Sequence, residues 1–193
     1  MIKQSLLKWV TADVGNAAET SPENHAFVPS PRAGHSLVFN PHSNSFLLFG
    51  GASHEEGHTN SLFSLPSLKG DWVQIPNAIH SPSPRYEHAV IPIVSENKFE
   101  MIVMYGAGPA DLLDDIWLFS TGTFSLISDT QEWSLFQTTG AAPSPRINPY
   151  VAYLGENETV GARIYLFGGA GANNIPVEDS HIHCLDIGTF HLT

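Results

Sequence analysis

A Pro-Arg pair recurs three times along this chain, and each copy is followed by two apolar runs and an aromatic-led segment. The first copy reads Pro31-Arg32-Ala33-Gly34-His35-Ser36, then Phe46 to Phe49 with Gly50-Gly51, then Trp72-Val73-Gln74-Ile75. The second reads Pro84-Arg85-Tyr86-Glu87-His88-Ala89, then Met101 to Tyr105 with Gly106-Ala107, then Trp133-Ser134-Leu135-Phe136. The third reads Pro145-Arg146, then Ile164 to Phe167 with Gly168-Gly169, then Phe190-His191-Leu192. The arginines lie 53 and 61 residues apart, a spacing close to that of a four-stranded propeller blade. A unit of that size cannot bury its two faces alone, so most of the sequence must serve the stacking of one blade on the next.

Four short strands per repeat follow from alternation and turn residues. They fall at 36–39, 46–49, 62–65 and 72–75, then 89–93, 99–105, 116–119 and 133–136, then 150–154, 163–167, 181–185 and a final fragment. Fourteen prolines and sixteen glycines interrupt every stretch long enough for a helical period. The expected organisation is an N-terminal strand and polar linker at 1–30, then blades at 31–83, 84–144 and 145–193, the third truncated in its last strand. Leu6-Leu7-Lys8-Trp9-Val10 reads as the last strand of a further blade. The fold class is therefore all-β, an incomplete propeller with two outer faces expected to self-associate or to meet missing blades.

Eight basic against nineteen acidic residues leave a formal charge of −11, with no basic run. Nucleic-acid backbones and anionic membrane surfaces are thereby disfavoured as partners. No apolar run is long enough to span a bilayer, the N-terminus lacks the unbroken apolar stretch of a signal peptide, and Cys184 stands alone, so no disulfide framework is expected. These features fit a cytoplasmic protein.

Pro-Arg-x-Gly-His-Ser, an apolar run ending in Gly-Gly, and a later Trp, taken together and repeated, resemble the kelch-repeat superfamily over residues 5–193. On that resemblance Arg32, Gly50, Gly51, Trp72, Arg85, Gly106, Trp133, Arg146, Gly168 and Gly169 hold the structural positions of the repeat. Ala107 departs from it as the second residue of the doublet in repeat two, and Ile147-Asn148 departs from the Gly-His pair. Two stretches, Pro84 to Ala89 and Ile175-Pro176-Val177-Glu178-Asp179-Ser180, are similar to kelch-motif effectors of Rab GTPases. That similarity implies a non-catalytic protein-binding scaffold in endosome-to-trans-Golgi transport. Its partner would be a Rab-family GTPase, and the scaffold would be peripheral on endosomal membranes through that partner. The wider family also offers metal-dependent enzymes (specifier-protein lyases or oxidases) and substrate adaptors of ubiquitin ligases.

The residues themselves favour binding over chemistry. His181 and His183 share one strand face and His54 and His58 share one loop, yet neither pair brings an obvious third ligand. His35 and His88 sit in the repeat's own position after Arg. Cys184 reads as a buried, inert thiol. Neither a nucleophile elbow nor a phosphate-cradling loop is present, so no catalytic residue, metal or cofactor is expected. The arginines, repeated at the period of the fold, suit a blade-to-blade tie better than a ring reading an acidic peptide. The loops between second and third strands, 52–61, 107–115 and 170–180, emerge at one end of the blades. They carry Glu55, Glu56, Asp111, Asp114, Asp115, Glu178 and Asp179, a candidate surface for a basic partner.

Overall fold

The apolar runs that end in small residues become the second strands of three antiparallel sheets. The structure, a computed structural model, describes residues 28–67, 70–121, 132–155 and 161–188. In the first sheet β1 (Ser36–Asn40) and β2 (Ser45–Phe49) are followed by a small hairpin, β3 (Ala52–Ser53) and β4 (Gly57–His58), and then by β5 (Leu62–Leu65) and β6 (Val73–Ile75). The second sheet holds β7 (Ala89–Val94), β8 (Phe99–Met104), β9 (Ile116–Ser120) and β10 (Glu132–Leu135). The third holds β11 (Tyr150–Leu154), β12 (Ala162–Phe167) and β13 (His183–Gly188). Within each sheet the strands lie in chain order, each pairing antiparallel with the next strand of that sheet, and β2 pairs with β5 across the separate β3–β4 hairpin. Among the described residues there is no α-helix, only a 3-10 turn at Ala172–Asn174. The expected strands at Leu6–Val10 and Phe190–Leu192 lie outside the described residues.

The sheets stack as blades because their middle strands are apolar on both sides. Every residue of β8 is buried. Phe99, Met101 and Val103 point into a cluster with Leu47, Phe49 and Leu62 of the first sheet. The alternate residues Ile102 and Met104 point into a second cluster with Ile164 and Leu166 of the third. A period of two thus loads one strand into two interfaces, which a polar-faced strand could not do. Trp133 of β10 completes the first interface, its ring centroid 5.0 Å from both Phe49 and Phe119. Trp72 behaves differently. It precedes β6, is half-buried, and meets Phe63 of its own sheet edge-on at 6.4 Å.

The cross-strand register reassigns one departure from the repeat. Phe49 pairs with Leu62 and Met104 with Ile116, so these two positions are equivalent. The doublet of the second repeat is therefore Tyr105-Gly106, and its first glycine is the one replaced. Backbone angles agree: φ is 68° and 98° at Gly50 and Gly51, 63° and 103° at Tyr105 and Gly106, and 66° and 97° at Gly168 and Gly169. The second position demands glycine, since a Cβ on Gly106 would lie 2.8 Å from the Tyr86 carbonyl oxygen. Ala107 instead bridges Tyr86, as Ala52 bridges Ala33 and Ala170 bridges Ile147.

Cys184 is exposed, contrary to the buried thiol expected of it. It pairs with Tyr165, and both lie on the side of the third sheet turned away from the second. Alternation along β13 assigns that side, which the apolar character of the run did not reveal.

Candidate functional site

Ser-Pro-Arg precedes the first strand of every blade, and its arginine organises the loop end. Arg85 donates from Nε to the Ser83 carbonyl (3.1 Å), from Nη2 to Ser83 Oγ (3.2 Å) and from Nη1 to the Tyr105 carbonyl (3.2 Å). The same fork then grips both oxygens of Asp115, at 2.7 and 2.8 Å. Arg146 repeats the pattern on Ser144 (2.9 and 3.2 Å) and the Gly168 carbonyl (2.9 Å), with Asp179 at 3.5 Å. Arg32 repeats it on Ser30 (3.1 Å to each acceptor) and the Gly50 carbonyl (3.2 Å). There Ser61 Oγ takes the place of the aspartate at 2.9 Å, and Glu56 lies at 3.5 Å. Arg85 and Arg146 are 0% and 1% exposed, so neither can read a peptide from solution. A planar fork with five donors can satisfy all these oxygens at once, which lysine could not.

These side chains tie together a single blade, joining its lead-in segment, the end of its second strand and the start of its third. Backbone hydrogen bonds tie one blade to the next at this end. Gly51 N–H donates to the Arg85 carbonyl at 2.8 Å, and Gly106 N–H donates to the Arg146 carbonyl at 3.0 Å. Nearer the innermost strands, Glu87 N–H donates to the Gly34 carbonyl and Asn148 N–H to the Glu87 carbonyl, each at 2.8 Å. Gly34, Glu87 and Asn148 all sit at positive φ to do so.

Three of the seven candidate carboxylates are thus engaged with arginines. Burial alone would raise the Asp115 carboxyl. Hydrogen bonding and charge from Arg85, with the Trp117 indole N–H at 2.7 Å, outweigh it and hold the group below its ordinary value. Asp179 is held far below the usual carboxylate range, first by the His183 ring and next by the His181 backbone N–H at 3.0 Å. His181 Nδ1 also lies 3.1 Å from it. Glu56 lies 3.5 Å from Arg32, and its side chain is 44% exposed. Glu55, Asp111, Asp114 and Glu178 are exposed on the same loops.

The loops carrying these groups are braced. His58 stacks on Tyr86 of the next blade, with centroids 4.8 Å apart and planes 13° from parallel. Gly108 N–H donates to the Asp111 carbonyl at 2.9 Å, and Leu113 N–H to the Gly106 carbonyl at 2.8 Å. Among the described residues no group of three His, Cys, Asp or Glu side chains is arranged to hold a metal ion, and none of their helices is long and apolar enough to cross a membrane. The role of Ser30, Ser83 and Ser144 was not anticipated from sequence, although Ser-Pro-Arg at each blade was the signal for it.

A family model described as the KLHDC2/KLHL20/DRC7 Kelch-repeats domain matches residues 5–193. Host cell factor of Drosophila melanogaster is 30% identical over 155 residues, which cover 73% of this chain and 9% of that protein. The Rab9 effector protein with kelch motifs of Mus musculus is 26% identical over 167 residues, covering 83% and 40%. Dynein regulatory complex subunit 7 of Chlamydomonas reinhardtii is 30% identical over 142 residues, covering 71% and 10%. The matched part of the chain spans less than half the length of each of these relatives.

Proposed function

The chain belongs to the kelch-repeat family, and from that premise we propose that it is a non-catalytic protein-binding module whose recognition surface is the loop end of its blades. One observation carries this reading. Glu55, Asp111, Asp114 and Glu178 are exposed together on loops that the Arg32, Arg85 and Arg146 forks hold in place. Rigid support under exposed charge is how a scaffold presents a binding surface. Negative potential there selects a basic patch on the partner and raises the rate of encounter more than the final affinity.

Similarity to the Rab9 effector protein with kelch motifs supports a Rab-family GTPase as that partner, with endosome-to-Golgi transport as the process and endosomal membranes as the place. The test is association of the chain with Rab-family GTPases in their nucleotide-bound states, wild type against an Asp111→Asn, Asp114→Asn double variant. Asp115 is left intact because Arg85 depends on it. The double variant should associate about 10-fold more slowly at low ionic strength, with the difference shrinking as salt rises. Equal on-rates at low salt would dismiss the acidic loops, and no binding by either form would dismiss the GTPase.

A further inference from the structure

The third Ser-Pro-Arg differs from the second in how its guanidinium is neutralised. Asp115 places both oxygens on Arg85, at 2.7 and 2.8 Å. Asp179 stands 3.5 Å from Arg146, and both of its oxygens are drawn to the segment leading into β13. Oδ1 accepts from the His181 backbone N–H at 3.0 Å and lies 3.1 Å from His181 Nδ1, while Oδ2 meets His183 Nε2. Arg146 is 1% exposed, so an anion in solution does not contact it. Ser144 Oγ does reach it, 3.2 Å from Nη2. Ser144 is itself exposed, as are residues 137–142 ahead of it, and residues 137–146 join no sheet. Pro145 biases Ser144 to extended backbone.

We propose that Ser144 is a phosphorylation site for a proline-directed serine kinase, and that its phosphate takes the Arg146 fork from Asp179. In the transfer Ser144 Oγ attacks the γ-phosphorus of ATP. The new O–P bond forms as the bond to the bridging oxygen breaks, ADP leaves, and the hydroxyl proton passes to the kinase's aspartate. The product carries up to about two negative charges on strong acceptor oxygens, one bond beyond an atom already at the guanidinium. The planar fork suits phosphate as it suits carboxylate, by two parallel hydrogen bonds. Asp179 then faces a like charge and keeps only its histidines, so the loop at 170–180, which carries Glu178, loses its tie to Arg146. Ser83 lies as close to its own arginine, 3.2 Å, but Asp115 already fills that fork and would repel a phosphate. Pro82 ahead of it is buried, and its carbonyl takes the Asn60 amide at 2.8 Å. The corresponding Pro143 carbonyl meets the Tyr105 hydroxyl only at 3.4 Å. Ser30 and Ser81 are half-buried. The site stands whether or not the loop end binds a protein.

The test treats the full chain with ATP, magnesium and two purified proline-directed kinases in parallel, one cyclin-dependent and one mitogen-activated, and maps the product by peptide mass spectrometry. Phosphate is expected on Ser144 ahead of Ser30, Ser81 and Ser83. In the folded product its second ionisation, followed by phosphorus NMR, should fall near pH 5, against about 6 in urea, because the guanidinium favours the dianion. Cleavage after Glu178 by a glutamate-specific protease should quicken about threefold or more on phosphorylation, with cleavage after Glu55 unchanged. No phosphate on Ser144 with either kinase overturns the site. A phosphate that titrates near 6 in the folded chain, or unchanged cleavage after Glu178, overturns its capture by Arg146.

Discussion

His88 is a neutral histidine carried into a blade interface, and the fold should feel its proton. Its Nε2 lies 3.1 Å from Ser36 Oγ of the preceding blade, its ring meets Phe49 edge-on at 5.4 Å, and its Nδ1 is buried without a hydrogen-bond partner. Protonation would add a buried charge and a second N–H with nothing to accept it. Burial first, and then the charges of Arg85 and His35, push the group from 6.5 down to about 3. The unfolded chain binds this proton at ordinary pH values and the folded chain does not. The contribution is therefore complete above about pH 6.5 and is lost progressively as pH falls toward 3. Linkage puts the loss at about 2 kcal/mol between pH 7.5 and pH 5, and any folded value below about 4 gives the same figure. Urea unfolding at the two pH values, followed by tryptophan fluorescence at fixed protein concentration, should show that difference shrinking by about 2 kcal/mol in His88→Gln. Comparing slopes removes whatever the substitution itself costs and the background of the other histidines. An unchanged pH difference in the variant would refute the reasoning, as would a His88 ring resonance that titrates near 6.

Trp133→Ala should cost about 3–5 kcal/mol, because it empties a contact between two sheets; Trp72→Ala should cost distinctly less, and equal losses in chemical denaturation would contradict the packing. Asp115→Asn strands the buried Arg85 fork and should lower stability by about 3 kcal/mol, while the wild-type pair, with its depressed carboxyl, holds until pH falls below the ordinary carboxylate range. Gly106→Ala puts a side chain at φ 103° and 2.8 Å from a carbonyl oxygen, so thermal unfolding should fall by the equivalent of about 2 kcal/mol or more. Loss of less than half that amount would mean the doublet tolerates a side chain.

The repeat, most strand positions among the described residues and the glycine-marked exits were legible in the sequence because each rests on residues close together along the chain, although the strand expected at 181–185 is β13 at His183–Gly188. Alternation locates β1 and β2, and the Pro-Arg period places the blades. Pairing across the chain decided the rest. Only the register of Met104 with Ile116 showed that Tyr105, not Ala107, stands in for a glycine. Only the folded positions of Ser30, Ser83 and Ser144 showed where the arginine forks are anchored. The seven loop carboxylates look alike in sequence. Asp115 and Asp179 became structural by meeting Arg85 and Arg146, about 30 residues away, while Asp111 and Asp114 remained on the surface. Cys184 sits in an apolar run, yet its side of the third sheet faces outward. A charge or thiol takes its role from what faces it, and that is set by contacts between distant segments that local pattern does not encode.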